Sequence, residues 1–504
     1  MASIVTSKFR VYNADQFVEA LSEAAPSYLY MFIGRTRAWA DDNTPPTPVD
    51  ATANTEFEHW RDMMHMKRVQ AADVSKASVR YDWTTGTVYT QYSDSVDLNT
   101  EDFFVMTDEY KVYKCLFNNS GAASTTKPTH VSTTVAVDPG DGYLWKYMLT
   151  MVASDAVKFL TSGYVPISTL SSDDGSTQWD VQAASVNGAI DVIGITAAGS
   201  QNDKVHNGTF QSVANTTQMV IAAAASSTDN YYNGSTLVVT GGTGVGGHKA
   251  IATYAGSSKT VVLSSNLAVA PTATSTYDIV PTITITGDGS GATAYADVVA
   301  AGNTVSAITV SNRGTGYTRA TVAFTGNGVS GVTGQAYVGP PGGHGSDPAQ
   351  ELMSYNVVLN TKFDKSESDV FTTDNNFRVI GLLRDPLIAN GSAATATTYD
   401  HTVNLTITGI SGSFSADEVV TGGTSTANGY VVEANTTVVK LTQTDGTFSV
   451  AETITGTGGA TGTVSIANTG LLLNNSGDIM YVEHRSPIAR ASDQIEDVKL
   501  IIRF

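Results

Sequence analysis

Apolar and polar positions change their rhythm several times along the chain. Near the start the rhythm is helical: Asn13 followed three positions later by Gln16 has the form of a capping box, and Phe17, Val18, Leu21 and Ala24 mark an apolar stripe that stops before Pro26. A short amphipathic helix is predicted there. A second is predicted over residues 55–67, where Phe57, Trp60, Met64 and Lys67 fall at roughly helical spacing, a Met and aromatic stripe of the kind that fills cores. From 79 to 117 the period drops to two. SVRYDW, TVYTQY, FFVM and KVYKCLF alternate between Gly, Ser, Asn and Asp turns, which predicts antiparallel sheet.

From about residue 180 to 343 aromatic residues thin out and Gly, Thr, Ala and Val dominate. Two units repeat here: TITITGDGSGATAYADVV from Thr282 is echoed by TVAFTGNGVSGVTGQAYV from Thr321, so Gly287 and Gly289 correspond to Gly326 and Gly328. A second pair, GSFSADEVVTGGTSTANGYVV from Gly412 and GTFSVAETITGTGGATGTVSI from Gly446, matches Phe414 with Phe448, Glu418 with Glu452 and Gly422 with Gly456. Two such units, each burying one Phe, predict a small sandwich or barrel. Between and after the repeats (ELMSYNVVLN, NNFRVIGLLRDPL and the last thirty residues) the texture of the first part returns. The expected fold is therefore mainly β: a discontinuous antiparallel β-sandwich body with a few short helices (1–180, 344–395 and 472–504), carrying two inserted Gly/Thr-rich β modules (181–343 and 396–471). Insertions in surface loops are tolerated because loop-closure cost rises slowly with length.

Composition agrees: of 504 residues, 46 are Gly and only 15% are charged, which suits short strands and tight turns. The net charge of −19 opposes approach to nucleic-acid phosphates or an anionic membrane surface, so neither is expected as a partner. The one cysteine, Cys115, lies in the apolar run VYKCLF, which rules out an intrachain disulfide and predicts a buried small hydrophobe. The opening stretch MASIVTSKFR has neither a long apolar core nor a cleavage site, so synthesis and assembly in a cytoplasm are expected.

The sequence carries no clear catalytic or metal-binding motif. Eight histidines, among them His344 and His484, have no partner at metal-ligand spacing, and Asp173, Asp174, Asp288 and Asp297 do not follow an EF-hand pattern. No GxSxG elbow occurs. Two glycine runs, Gly242, Gly244, Gly247 and Gly287, Gly289, Ala292, match a dinucleotide fingerprint in form. The strand-like HKAIATY and TAYADVV follow them where the fingerprint requires a helix, so hairpin turns are predicted. HGSDP (344–348) reads as a linker cap. No catalysis, cofactor or metal is expected.

The body segments carry ordered blocks: IVTSKFR from Ile4, MFIGRTRAW from Met31 followed by PPTPVD from Pro45, PGDGYLWKYM from Pro139, IMYVEHRSPI from Ile479, and the closing KLIIRF. In order and type these resemble the baseplate wedge proteins, the gene product eight family, of T-even type contractile-tailed phages. PGDGYLWKYM is the most specific block. Its strand, after turn chemistry, sets Tyr143, Trp145 and Tyr147 on one face and Leu144 and Met148 on the other, as a strand buried on both sides would. IVTSKFR matches the family's opening strand. The PPTP run cannot join a central ladder and is extended and stiff, a candidate loop or docking arm.

The resemblance implies a structural subunit of a virion's tail baseplate, dimeric within a wedge, held to other wedge proteins, and shifting between two arrangements when sheath contraction is triggered. Within the matching blocks, Trp39, Pro45, Pro46, Pro48, His484 and Arg485 are the candidate partner-interface residues. The competing expectation is an adhesin-like module whose insertions hold host surface glycan through Tyr231, Tyr232, Tyr295, Tyr317 or Tyr430.

Overall fold

The computed structural model describes residues 4–24, 26–50, 53–200, 206–299, 303–326, 328–367, 370–491 and 493–504. The fold is mainly β, with 44% of residues in strands and 9% in helices, and its ladders are antiparallel. By contact the chain forms two units: residues 1–77, 157–161 and 355–504, and residues 78–156 and 162–354. This division is drawn elsewhere than the compositional one, since 78–156 belongs with the Gly/Thr-rich stretch.

The first unit is built around Leu29–Gly34. Leu29, Met31 and Ile33 enter one core with Val357, Leu359, Phe377 and Leu500, while Tyr30 and Phe32 enter another with Trp60, Met66 and Val379. A period of two thus loads both faces of a strand buried on both sides. Its sheet runs in the order Thr398–Asp400, Met63–Val69, Leu29–Gly34, Asn376–Arg384, Asp478–Ala489, so the last of these is an edge. A second sheet pairs Asn356–Asp364 with Val74–Val79 and Ile495–Arg503 and covers the first core.

Two local predictions are corrected here. The first helix runs Ser7–Glu19, capped by Thr6, whose hydroxyl accepts from the Phe9 N–H at 3.3 Å. IVTSKFR is thus the entry to a helix and not an opening strand. The Gln16 side chain, instead of closing a capping box, donates to Glu19 at 2.9 Å. The second helix covers only Ala53–Asp62; Met63–Val69 is a strand held between Leu29–Gly34 and Thr398–Asp400. Two flanking ladders outweigh the helical spacing of Met64 and Lys67.

Residues 403–468 close into a six-stranded barrel, in the order Val403–Ser411, Val438–Asp445, Asn428–Ala434, Val419–Gly422, Thr453–Gly456, Thr461–Asn468. The repeated strands 419–422 and 453–456 pair with each other, as do 403–411 and 438–445. Phe448 is fully packed inside and Phe414 partly. The matched glutamates cross between repeats: Glu452 accepts from the Thr424 and Ser425 N–H groups at 3.1 and 2.9 Å, and Glu418 from the Gly458 N–H at 2.8 Å. Closure removes the exposed edges that two isolated repeats would leave.

In the second unit, Phe104–Met106, Lys111–Asn118 and Tyr143–Thr150 form one sheet, with Cys115, Tyr143, Trp145 and Tyr147 buried together as predicted. TVYTQY contributes only an isolated bridge, Thr87 with Ser124. The Gly242 run joins Leu237-containing strand Thr236–Gly241 to its antiparallel neighbour His248–Ala255. The Gly287 run is not a hairpin: it connects Thr282–Gly287, paired with Ala320–Thr325, to Ser290–Val299, paired with Thr304–Thr315. A strand follows each run, and neither offers the helix N-terminus a phosphate would use.

Candidate functional site

The closing strand Asp478–Ala489 pairs on one side with Asn376–Arg384; along its other side lies a strap made by residues 35–50. The Trp39 indole N–H donates to the Arg485 carbonyl at 2.9 Å, and its ring lies 4.5 Å from that of His484. His484 Nδ1 meets the Pro46 carbonyl at 2.7 Å, which assigns the proton to that nitrogen. The Arg35 guanidinium covers the Trp39 ring at 3.9 Å. Trp39, Pro46, His484 and Arg485, some 440 residues apart in sequence, thus meet in one cluster. Pro48 lines a neighbouring groove of about 450 Å³ with Val49, His59, Met480 and Tyr481, and Pro45 sits half-buried in the strap.

A clamp that sequence reading missed holds the strap down. Arg378 is buried, and its Nε and Nη2 donate to the two oxygens of Asp42 at 2.8 and 2.7 Å, while Nη1 donates to the Thr36 carbonyl. Asp42 also accepts the Trp39 N–H at 2.8 Å. The Arg378 hydrogen bonds, with desolvation opposing them and the Trp39 N–H adding to them, lower the Asp42 carboxyl to about 2. The available signal was a lone Arg inside the apolar run NFRVIGLL, since a guanidinium in a buried strand must find a carboxylate.

A second cluster lies inside the second unit. Lys114 Nζ is 2.9 Å from Glu351 Oε2 and 3.1 Å from His344 Nδ1, with the Tyr92 ring at 4.2 Å from the ammonium. Glu351 Oε1 accepts from the Gly345 and Asp347 N–H groups at 2.8 and 3.2 Å. Burial works against the Glu351 carboxylate, but the Lys114 ammonium and His344 hold it at about 2; burial also pushes the Lys114 and His344 pKa values down. HGSDP does act as a cap, Asp347 accepting from the Gln350 N–H at 3.0 Å, and it also delivers His344 to this network. At 1–3% exposure, these side chains offer no substrate a route to them; what they do is fix the loop around Gly345 against the sheet.

Of the tyrosines proposed as sugar platforms, Tyr232 and Tyr317 are buried in module cores, and Tyr430 lies under the Arg37 guanidinium at 5.3 Å. Among the described residues no group of three His, Cys, Asp or Glu could hold a metal ion, and no helix is long and apolar enough to cross a membrane.

No family model matches the chain. A phage baseplate protein is similar to it. The chain is 20% identical over 206 residues to baseplate wedge protein gp8 of Enterobacteria phage T4, a match that spans 33% of this chain and 60% of that protein. The likeness is therefore partial on both sides, and it points to the baseplate of a phage tail.

Proposed function

We propose that the protein is a structural subunit of a phage tail baseplate wedge, which acts by assembly and without turnover. The observation that carries this is the 206-residue likeness to a baseplate wedge protein. The strap and closing strand supply a physical means. An edge strand offers unpaired N–H and C=O groups, the strap covers part of that edge where Trp39 meets the Arg485 carbonyl and Pro46 meets His484, and the groove beside it exposes Val49 and Met480. In this reading the strap face, with Trp39, Pro45, Pro46, Pro48, His484 and Arg485, meets other wedge proteins, and a second copy of the chain completes a dimer. The subunit's part in triggering sheath contraction is a difference in interface energy between two baseplate arrangements.

The test is coexpression with the other tail proteins of the same phage, followed by size measurement and imaging. A dimer that enters a larger wedge complex is expected, with Trp39→Ala and His484→Ala weakening entry. A monomer that stays out of such complexes and binds a host glycan array would overturn the proposal.

A further inference from the structure

A cavity of about 230 Å³ opens in the first unit where the helix Ala53–Asp62 faces the barrel strand Val438–Asp445, with residues 401–403 and 474–475 completing its wall. Three of the lining residues carry a buried polar atom without a protein partner: Trp60 Nε1, Thr442 Oγ1 and Gln443 Oε1. Trp60, Thr442 and Gln443 are each more than nine-tenths buried. Buried donors and acceptors are almost always satisfied, so whatever fills this cavity must offer hydrogen-bond groups of both kinds.

The cavity is built with some strain. Gln443 has φ +51°, a left-handed conformation that a residue with a side chain rarely adopts, and the neighbouring strand Asn428–Ala434 bulges beside it. That conformation turns the Gln443 amide nitrogen to the Asp62 carboxylate, which also meets the Arg35 guanidinium at 3.4 Å. The amide orientation is thereby set, and Oε1 is left as a free acceptor. At the rim stand the half-exposed Phe57 ring and the side-chain amides of Asn474 and Asn475.

The chemistry of the lining narrows the ligand. Among the described residues no carboxylate lines the cavity, so a metal ion or amine would find no counter-charge there, and Arg61 is the only formally charged lining group. A donor, several acceptors and an aromatic rim suit vicinal hydroxyls on a ring, because each hydroxyl donates and accepts at once. The volume admits about seven waters at ~30 Å³ each, or one sugar ring.

We propose that this cavity is a binding site for a hydroxyl-rich ligand of the size of a single pyranose ring. Of the tyrosines of the insertions, Tyr430 stands opposite the lining residue Thr442 across the barrel ladder, and the proposal does not rest on the wedge reading: the protein can assemble without binding sugar, or bind sugar without assembling. The test uses the full chain labelled with 5-fluorotryptophan, whose five tryptophan fluorine signals are assigned by Trp→Phe variants. Methyl α-glucoside, α-galactoside and α-mannoside and N-acetylglucosamine are titrated in turn, with cyclohexanol as a ring bearing one hydroxyl. At least one pyranoside should shift the Trp60 signal while cyclohexanol does not. Thr442→Val, which removes one hydroxyl at nearly constant shape, should weaken that binding at least tenfold and leave the other four signals in place. Gln443→Leu serves as the second variant if Thr442→Val does not fold. No shift from any pyranoside would show that the cavity holds water alone and overturn the proposal, as would equal binding by a folded variant.

Discussion

Replacing Glu351 with Gln keeps the shape of the buried cluster and removes its negative charge. The amide oxygen can still accept from the Gly345 and Asp347 N–H groups, so the backbone stays satisfied. Lys114, 1% exposed, then keeps the Tyr92 ring at 4.2 Å and His344 at 3.1 Å but, among the described residues, no carboxylate in hydrogen-bond contact, Asp191 acting on it from farther off. An ammonium so placed sheds its proton. Holding a lysine of unfolded pKa ~10.4 neutral at pH 7 costs about 1.36 × 3.4, or about 4.6 kcal/mol. That figure agrees with the ~3–5 kcal/mol lost when a buried pair forfeits one partner. Thermal unfolding of the second unit should fall by on the order of 10 °C.

The pH dependence carries the sharper signature. In the wild type, Glu351 is depressed to about 2, so its contribution is fully present above the unfolded carboxyl pKa of ~4.3 and is lost as the pH falls toward 2. In the variant the folded state binds one proton fewer than the unfolded state. Its stability should therefore climb between pH ~7 and ~10 by up to ~1.36 kcal/mol per pH unit. Urea unfolding at several pH values reads both effects, and adding Lys114→Met to Glu351→Gln should recover most of the loss, because no charge is then buried alone and the Gln oxygen still accepts from the Gly345 and Asp347 N–H groups. A Glu351→Gln protein within ~0.5 kcal/mol of wild type, or one with flat stability over that pH range, would refute the reasoning.

Three further outcomes follow from other parts of the fold. Asp42→Asn removes the charge that Arg378 grips, so trypsin should cut the strap after Arg37 faster and Trp39 emission should shift to the red; because the wild-type carboxyl titrates at about 2, the native clamp should hold at neutral pH and loosen only in strong acid. An unchanged digestion rate would contradict this. Glu452→Ala leaves the Thr424, Ser425 and Ser449 N–H groups without their acceptor and should cost about 1–3 kcal/mol in urea, more than Glu418→Ala, whose carboxylate accepts from the Ser415 and Gly458 N–H groups and is more exposed. Equal losses would mean that the two repeats share the load evenly. At Gly381 a Cβ would stand 2.1 Å from Phe32 Cζ, so Gly381→Ala should destabilise by about 1–3 kcal/mol, and Phe32→Leu should relieve part of it; an additive double variant would count against that contact.

Periodicity carried the class of the fold and several of its pieces. The strand-like pattern of KVYKCLF and YLWKYM marks buried strands because a period of two places each residue against a definite face whatever the partner strand is. The 34-residue offset linking Phe414 to Phe448 and Glu418 to Glu452 revealed a duplicated β unit, since equal sequence yields equal local structure. Closure of the two copies into a barrel came from pairing between 403–411 and 438–445 and between 419–422 and 453–456. Such pairing is a long-range choice, to which local pattern is blind.

The misreadings share this cause. Met64 and Lys67 have helical spacing, yet ladders to Leu29–Gly34 and Thr398–Asp400 make their segment a strand. Asn13 and Gln16 have the form of a cap, but Thr6 holds the helix start instead. Trp39, Pro46, His484 and Arg485 could each be named from the chain, whereas their meeting, and the Asp42–Arg378 clamp beneath them, join residues hundreds of positions apart. The Lys114–Glu351 pair and the cavity beside Gln443 belong to the same kind. Local preferences are written in neighbouring residues, but a buried charge or an unpaired donor acquires its meaning only from the groups that folding brings against it.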